Sequence, residues 1–191
     1  MSAFKTPNKK HSGDFKIAKG VVVCSEAELF GDITIGGGTV VHPSAHILAQ
    51  GGPIVIGERN LIQEQVTIIN SKREDGSTPT MVIGNGNIFE VGAHCGSLSV
   101  GDGNTFEAKS RVSERVKVTD RCSVGAGCSL DSQETLPTGT VLHGRECHRY
   151  TKKIPTQNNN QQQLDYLIKV LPNYHRLTKS TAPASTATPN T

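Results

Sequence analysis

Tryptophan is absent from this 191-residue chain, and other aromatic residues are scarce, at three Tyr and five Phe. With few rings on which to stack bases, and a net charge of only +3 spread over both ends, the chain offers nucleic acid neither a platform nor a basic stripe. No apolar run approaches the roughly 18 residues that a membrane span needs. The N-terminal MSAFKTPNKKHSGDFK is basic but lacks the apolar stretch of a secretory signal. A soluble, cytosolic protein with no membrane insertion is expected. The five cysteines, Cys24, Cys95, Cys122, Cys128 and Cys147, are odd in number and form no C-x-x-C pair. Reduced structural thiols therefore fit better than a disulfide or zinc framework. What is there is 35% apolar residues, in a length that suits one domain with a short appendage.

Those apolar residues recur every six positions. From Ile17 the count runs through Val23, Leu29, Ile35, Val41 and Ile47, then after three extra residues through Ile56, Ile62 and Ile68. After a longer insertion it resumes at Ile83, Phe89 and Cys95. One residue is then dropped, and the count continues through Val100, Phe106, Val112, Val118, Val124, Leu130, Leu136 and Leu142. A helix needs a period of 3.6 and a flat strand a period of 2, so six residues with Gly and Asn punctuation means short strands joined by tight turns. Three such strands close a triangular coil. Coils begin near Ile17, Ile35, Ile56, Ile83, Val100, Val118 and Leu136, which predicts six full turns and a partial seventh. Asn60, Asn87 and Asn104 then stack at one corner, where Asn tolerates left-handed backbone and can ladder its amide.

Two segments break the pattern. Residues 70–80 (NSKREDGSTPT) are polar and extruded, as loops with functional duties or mere tolerance of length are. After Tyr150 an Asn- and Gln-rich run leads to Leu164, Leu167, Ile168 and Leu171, whose spacing predicts an amphipathic helix packed on one prism face, with Tyr174 beyond them expected to pack there too. Pro172 should end or kink that helix. The division expected is a flexible 1–16, a β-helix over 17–150, a linker and helix over 151–178, and a disordered tail over 179–191. In the tail, Thr188 precedes Pro189 and is a candidate acceptor for a proline-directed kinase.

The I-G-x-x-N pattern resembles the hexapeptide-repeat family, which implies an all-β fold, a left-handed parallel β-helix, to which the C-terminal α-helix is appended. The stretch from Gly31 to Asn104 is similar to the γ-class carbonic anhydrase branch, including its shortened rung at Cys95–Ser99. That resemblance implies zinc histidines at Ile69, Val91 and Gly96, and an active-site Arg and Asp at Leu48 and Gln50. None is kept, and only Gln63 matches, so no catalytic residue, metal or cofactor is expected. His46 and His94 share a column with Thr67 between them, which separates them by nearly 10 Å at the usual strand spacing. His42, His143 and His148 sit in no Ser, Cys or carboxylate motif that would suggest a nucleophile and base. A homotrimeric hexapeptide-repeat enzyme, an acyltransferase or carbonic-anhydrase-like, remains the rival.

The replaced positions form a pattern of their own. Phe30, Leu48, Ile69 and Gly96 occupy one outward column, an apolar strip that either a partner or the chain's own helix should cover. Glu90 and Glu107 stack in another outward column that reads as a solvated face. Taken whole, through GPIVIGERNLI, MVIGNGNIFEVG, VGDGN and QLDYLIKVLPNYHRLTK, the chain resembles the smaller pointed-end β-helix subunits of dynactin. The resemblance implies a non-catalytic subunit in the cytoplasm and on the microtubule cytoskeleton, with the kinetochore as a mitotic location. It implies pairing with the related β-helix subunit of dynactin as a heterodimer. The pointed-end actin-related protein and the larger zinc-binding pointed-end subunit would be neighbours, and dynein and cargo adaptors indirect partners.

Overall fold

A computed structural model describes residues 11–152 and 161–178. Short parallel strands follow one another around a three-sided prism, and each strand pairs with the strand one coil later. The first face stacks His11–Ser12, Glu28–Phe30, His46–Ala49, Thr67–Asn70, His94–Cys95, Arg111–Val112 and Ser129–Leu130. The second stacks Phe15–Ile17, Ile33–Ile35, Ile54–Ile56, Met81–Ile83, Ser99–Val100, Val116–Val118 and Glu134–Leu136. The third runs from Val22–Val23 through Val40–Val41, Leu61–Ile62, Ile88–Phe89, Thr105–Phe106 and Ser123–Val124 to Thr140–His143. His148–Thr151 then folds back antiparallel on the third face's last strand.

The register is the one the six-residue count predicts. Ile17, Ile35, Ile56, Ile83, Val100, Val118 and Leu136 are successive partners on the second face. Every residue of the count is buried. Each face holds seven parallel strands, in keeping with the six to seven coils expected. The prism starts earlier than expected, because His11–Ser12 and Phe15–Ile17 pair with the next coil inside the segment taken as flexible. Two polar residues at a strand carry no periodic signal, which is why that coil was not legible.

Corners turn through left-handed backbone. At one corner Gly38, Arg59, Gly86, Gly103, Arg121 and Gly139 share positive φ, and at the next Ser44, Gln65, Gly92, Lys109 and Gly127 do. Only glycine takes that conformation freely, so the Arg, Lys, Ser and Gln here carry local strain that the flanking strand pairs hold in place. At the Asn corner Asn87 N–H donates to Asn60 Oδ1 (2.8 Å), Asn104 N–H to Asn87 Oδ1 (2.8 Å) and Cys122 N–H to Asn104 Oδ1 (2.7 Å). Buried backbone donors are thereby satisfied down the prism axis.

The third face is extended at both ends beyond the prism coils. At the late end, Arg149 binds the Glu134 carboxylate with two hydrogen bonds and ties the antiparallel strand to the second face. At the early end, Ser25 N–H donates to Arg176 O (2.7 Å) and Thr178 N–H to Val23 O (2.9 Å), so the chain after the helix lies along the first strand's open edge. Edges left bare invite pairing with other chains.

The Arg149 clamp holds the Glu134 carboxyl below the usual carboxylate range, against a smaller upward push from burial. A depressed native value stabilises the fold above the unfolded glutamate value, near 4.3, and that stabilisation is lost as pH falls through the native one. Arg149 is largely exposed, so the effect stays below about 1 kcal/mol. The protection factor of the Lys152 amide, which donates to Gly139 O, should fall on acidification below about pH 5 once the intrinsic slowing of exchange in acid is divided out. An Arg149→Gln variant should lack that added acid sensitivity.

Candidate functional site

Alternation along each strand sends one side chain into the prism and the next outward. On the first face this aligns Ser12, Phe30, Leu48 and Ile69, with Gly96 following in step after the Ile68–Cys95 pair. Phe30 is 45% exposed, Leu48 and Ile69 are partly exposed, and Gly96 is buried and contributes no side chain. Beside this column a second one runs Glu28, His46, Thr67, His94 and Arg111. His46 Nδ1 lies 2.9 Å from Glu28 Oε2. Burial, and then the Arg111 charge, holds His94 below its ordinary pKa.

The C-terminal helix, Gln161–Tyr174, does not cover this column. It packs on the third face, where Leu164 and Leu171 are buried against Val22, Cys24, Val40 and Leu61, and Leu167, Ile168 and Ile88 are partly buried around them. Arg59 anchors its N-terminal half through Asp165 (3.0 Å). The signal for this site was present in the sequence. Val22, Val40, Leu61 and Ile88 each sit one position before a core residue, where a solvated face would be polar.

Two expectations for the helix need correction. Tyr174 is 78% exposed and packs on nothing buried, because the chain turns away at His175 to run along the third face's edge. Pro172 lies inside the helix, which continues to Tyr174; a proline so near the end costs only one donor before the ladder stops anyway. Thr188 falls outside the described residues.

The acidic column is also not a free solvated face. Gln63 Oε1 accepts from Val91 N–H (3.2 Å), Glu90 Oε2 from Ala108 N–H (3.0 Å) and Glu107 Oε2 from Ala126 N–H (3.0 Å). These three side chains form a ladder that satisfies corner donors one coil later. Gln63, the single match to the carbonic anhydrase site, thus has a structural duty here.

His42 was expected to lack a neighbouring carboxylate, yet folding brings Glu64 to 2.7 Å from its Nδ1. Burial raises the Glu64 carboxyl, but hydrogen bonds from its own backbone and His42 hold it below the usual range overall. Cys24 lies close by under the C-terminal strap. Burial, with Glu26 and Glu64, pushes its thiol up to about 11, the reverse of an activated nucleophile. Burial likewise pushes Cys95 up to about 12. Among the described residues no group of three or more His, Cys, Asp or Glu is placed to hold a metal ion, and no helix is long and apolar enough to cross a membrane.

The polar insertion after Ile69 has a fixed stem. Asn70, buried, donates to Pro79 O (2.7 Å) and Pro53 O (3.2 Å). Gly51 makes the crossing possible, since a Cβ there would lie 2.0 Å from Ser71 O. The loop walls a groove of about 470 Å³ with Leu98, Glu114 and Arg115 on the opposite side.

Fold and site together define a hexapeptide-repeat β-helix whose first face carries an uncovered apolar column. A hexapeptide transferase family protein from Anaplasma phagocytophilum superposes with a TM-score of 0.60 at 15% identity, covering 85% of this chain and 96% of its own, which shows the shared fold. No family model matches the chain. Dynactin subunit 6 of Danio rerio is 45% identical over 191 residues, covering 94% of this chain and 96% of its own. Dynactin subunit 6 of Nematostella vectensis is 46% identical over 186 residues, covering 94% and 97%. The chain belongs to the dynactin subunit 6 family.

Proposed function

We propose that this chain is a non-catalytic adaptor subunit of dynactin's pointed-end complex, supporting dynein-driven transport along microtubules. In this reading it pairs with the related β-helix subunit and lies near the pointed-end actin-related protein and the larger zinc-binding subunit. It meets dynein and cargo adaptors indirectly, and kinetochores are a mitotic location. The carrying observation is the apolar column of the exposed Phe30 and the partly exposed Leu48 and Ile69, the last two at positions where the similar enzyme branch would hold polar catalytic groups. The chain's own helix occupies another face, so a separate partner is the natural cover. The rigid prism between the two faces acts as a spacer.

The test is purification of the tagged chain at native expression, with stoichiometry and bound metal measured on one sample. One copy recovered with actin-related and dynein-linked subunits, without stoichiometric zinc on this chain, supports the reading. A free homotrimer carrying stoichiometric metal would replace it with an enzyme.

A further inference from the structure

The two outward columns of the first face are self-complementary when the face is turned end over end. Number the coils by their first-face strands, so that Glu28 and Phe30 lie in the second, His46 and Leu48 in the third, Thr67 and Ile69 in the fourth, His94 and Gly96 in the fifth, and Arg111 in the sixth. A two-fold axis along the strand direction, through the fourth coil, keeps each column opposite itself and exchanges coils two with six and three with five. Ile69 then meets Ile69 of the second copy. Leu48 faces the gap that Gly96 leaves in the column, and Phe30 faces the small Ser113. In the neighbouring column Glu28 faces Arg111 and His46 faces His94, and the symmetry makes each pairing twice.

We propose that, without its partner, this chain covers the first-face column with a second copy of itself in that antiparallel, face-to-face arrangement, which the related β-helix subunit must displace. Charge order selects the arrangement. Packing two prisms face to face with their axes parallel would bring coil against like coil, so that Glu28 never meets Arg111: centred on the face it sets Glu28 on Phe30, and centred on the charged column it sets Glu28 on Glu28. An antiparallel packing shifted by one coil would set Leu48 on Leu48 but leave Arg111 without its carboxylate. The dimer is a C2 assembly with an isologous patch, so its contacts close and do not propagate into fibres. The proposal rests on the reading of the first face as the docking surface.

The test uses the purified full chain. Sedimentation velocity should show a monomer–dimer equilibrium, with Glu28→Arg or Arg111→Glu alone raising the dissociation constant about tenfold or more and the double reversal restoring most of the loss. In a Cys147→Ser background, Ile69→Cys should cross-link to a covalent dimer under mild oxidation, while Leu48→Cys should not. Cross-linking at Leu48 instead, or charge reversals without effect, overturns the arrangement. A chain that stays monomeric at all concentrations overturns self-association; if Ile69→Asp also stops that monomer from joining the native complex, the docking surface itself stands. Failure of the unmodified tagged chain to recover dynactin components would instead sink the functional reading, whatever the dimer does.

Discussion

Replacing Phe89 with alanine should lower the midpoint of thermal unfolding by roughly 10–15 °C. Phe89 and Phe106 are both fully buried on successive coils, with ring centroids 4.5 Å apart and planes within 6°. Removing one ring forfeits its burial and leaves a void. The prism cannot collapse into that void, because backbone hydrogen bonds on three faces fix the spacing between coils. Buried Phe→Ala changes cost about 3–5 kcal/mol. For a domain of this size each kcal/mol moves the midpoint by about 2–4 °C. The loss should centre on the fourth and fifth coils, since each coil of a solenoid touches only its neighbours. Phe30→Ala provides the contrast: at 45% exposure it should change the midpoint by less than about 3 °C while weakening association through the first face. Calorimetry on the two variants checks both statements. A shift below about 3 °C for Phe89→Ala would mean that the stacked pair is not packed as described.

The contrast between these two phenylalanines also explains what could be read from the sequence. Inward residues answer to one constraint, filling a prism of fixed width, so Ile17 to Leu142 announce themselves by period and their register follows without a structure. The Asn60, Asn87 and Asn104 ladder was legible for the same reason, because a corner recurs on every coil. Outward residues answer to whatever covers them. Phe30, Leu48 and Ile69 stood out only against the resemblance to an enzyme branch. In the sequence the comparable column of Val22, Val40 and Leu61 blends into the ordinary apolar background of strands. Missing it left the helix without an address, and so the helix and a partner competed for the first face. Long-range pairs such as His42 with Glu64, and the strap of Arg176 to Thr178 along Val23 to Ser25, join residues that no local spacing connects.

Leu164→Asp should undock the C-terminal helix while leaving the prism folded. Leu164 is 1% exposed among Val22, Val40 and Leu61, and a carboxylate there would lose its hydration against apolar side chains. Burying such a side chain contributes about 1.5–3 kcal/mol, and an unpaired charge makes the docked state costlier still. Against that, the helix keeps Leu171, the partly buried Leu167 and Ile168, the exposed contacts of Arg59 with Asp165 and Gln161 O and of His175 with Glu26, worth at most about 1 kcal/mol each, and the strap's backbone hydrogen bonds. Detachment is therefore the cheaper outcome, and it caps the cost. Amide exchange at Ser25 and Thr178 should lose its protection, while Val41 and Ile62, held inside the third face, keep theirs. The bared column and the open edge of Val22–Val23 should then make the variant prone to aggregate at concentrations where the parent stays dispersed. Tyr174→Asp is the control, since that ring is exposed and its replacement should leave exchange and solubility unchanged. If Leu164→Asp kept the Ser25 and Thr178 amides protected, the helix would have to be held by something other than its apolar stripe.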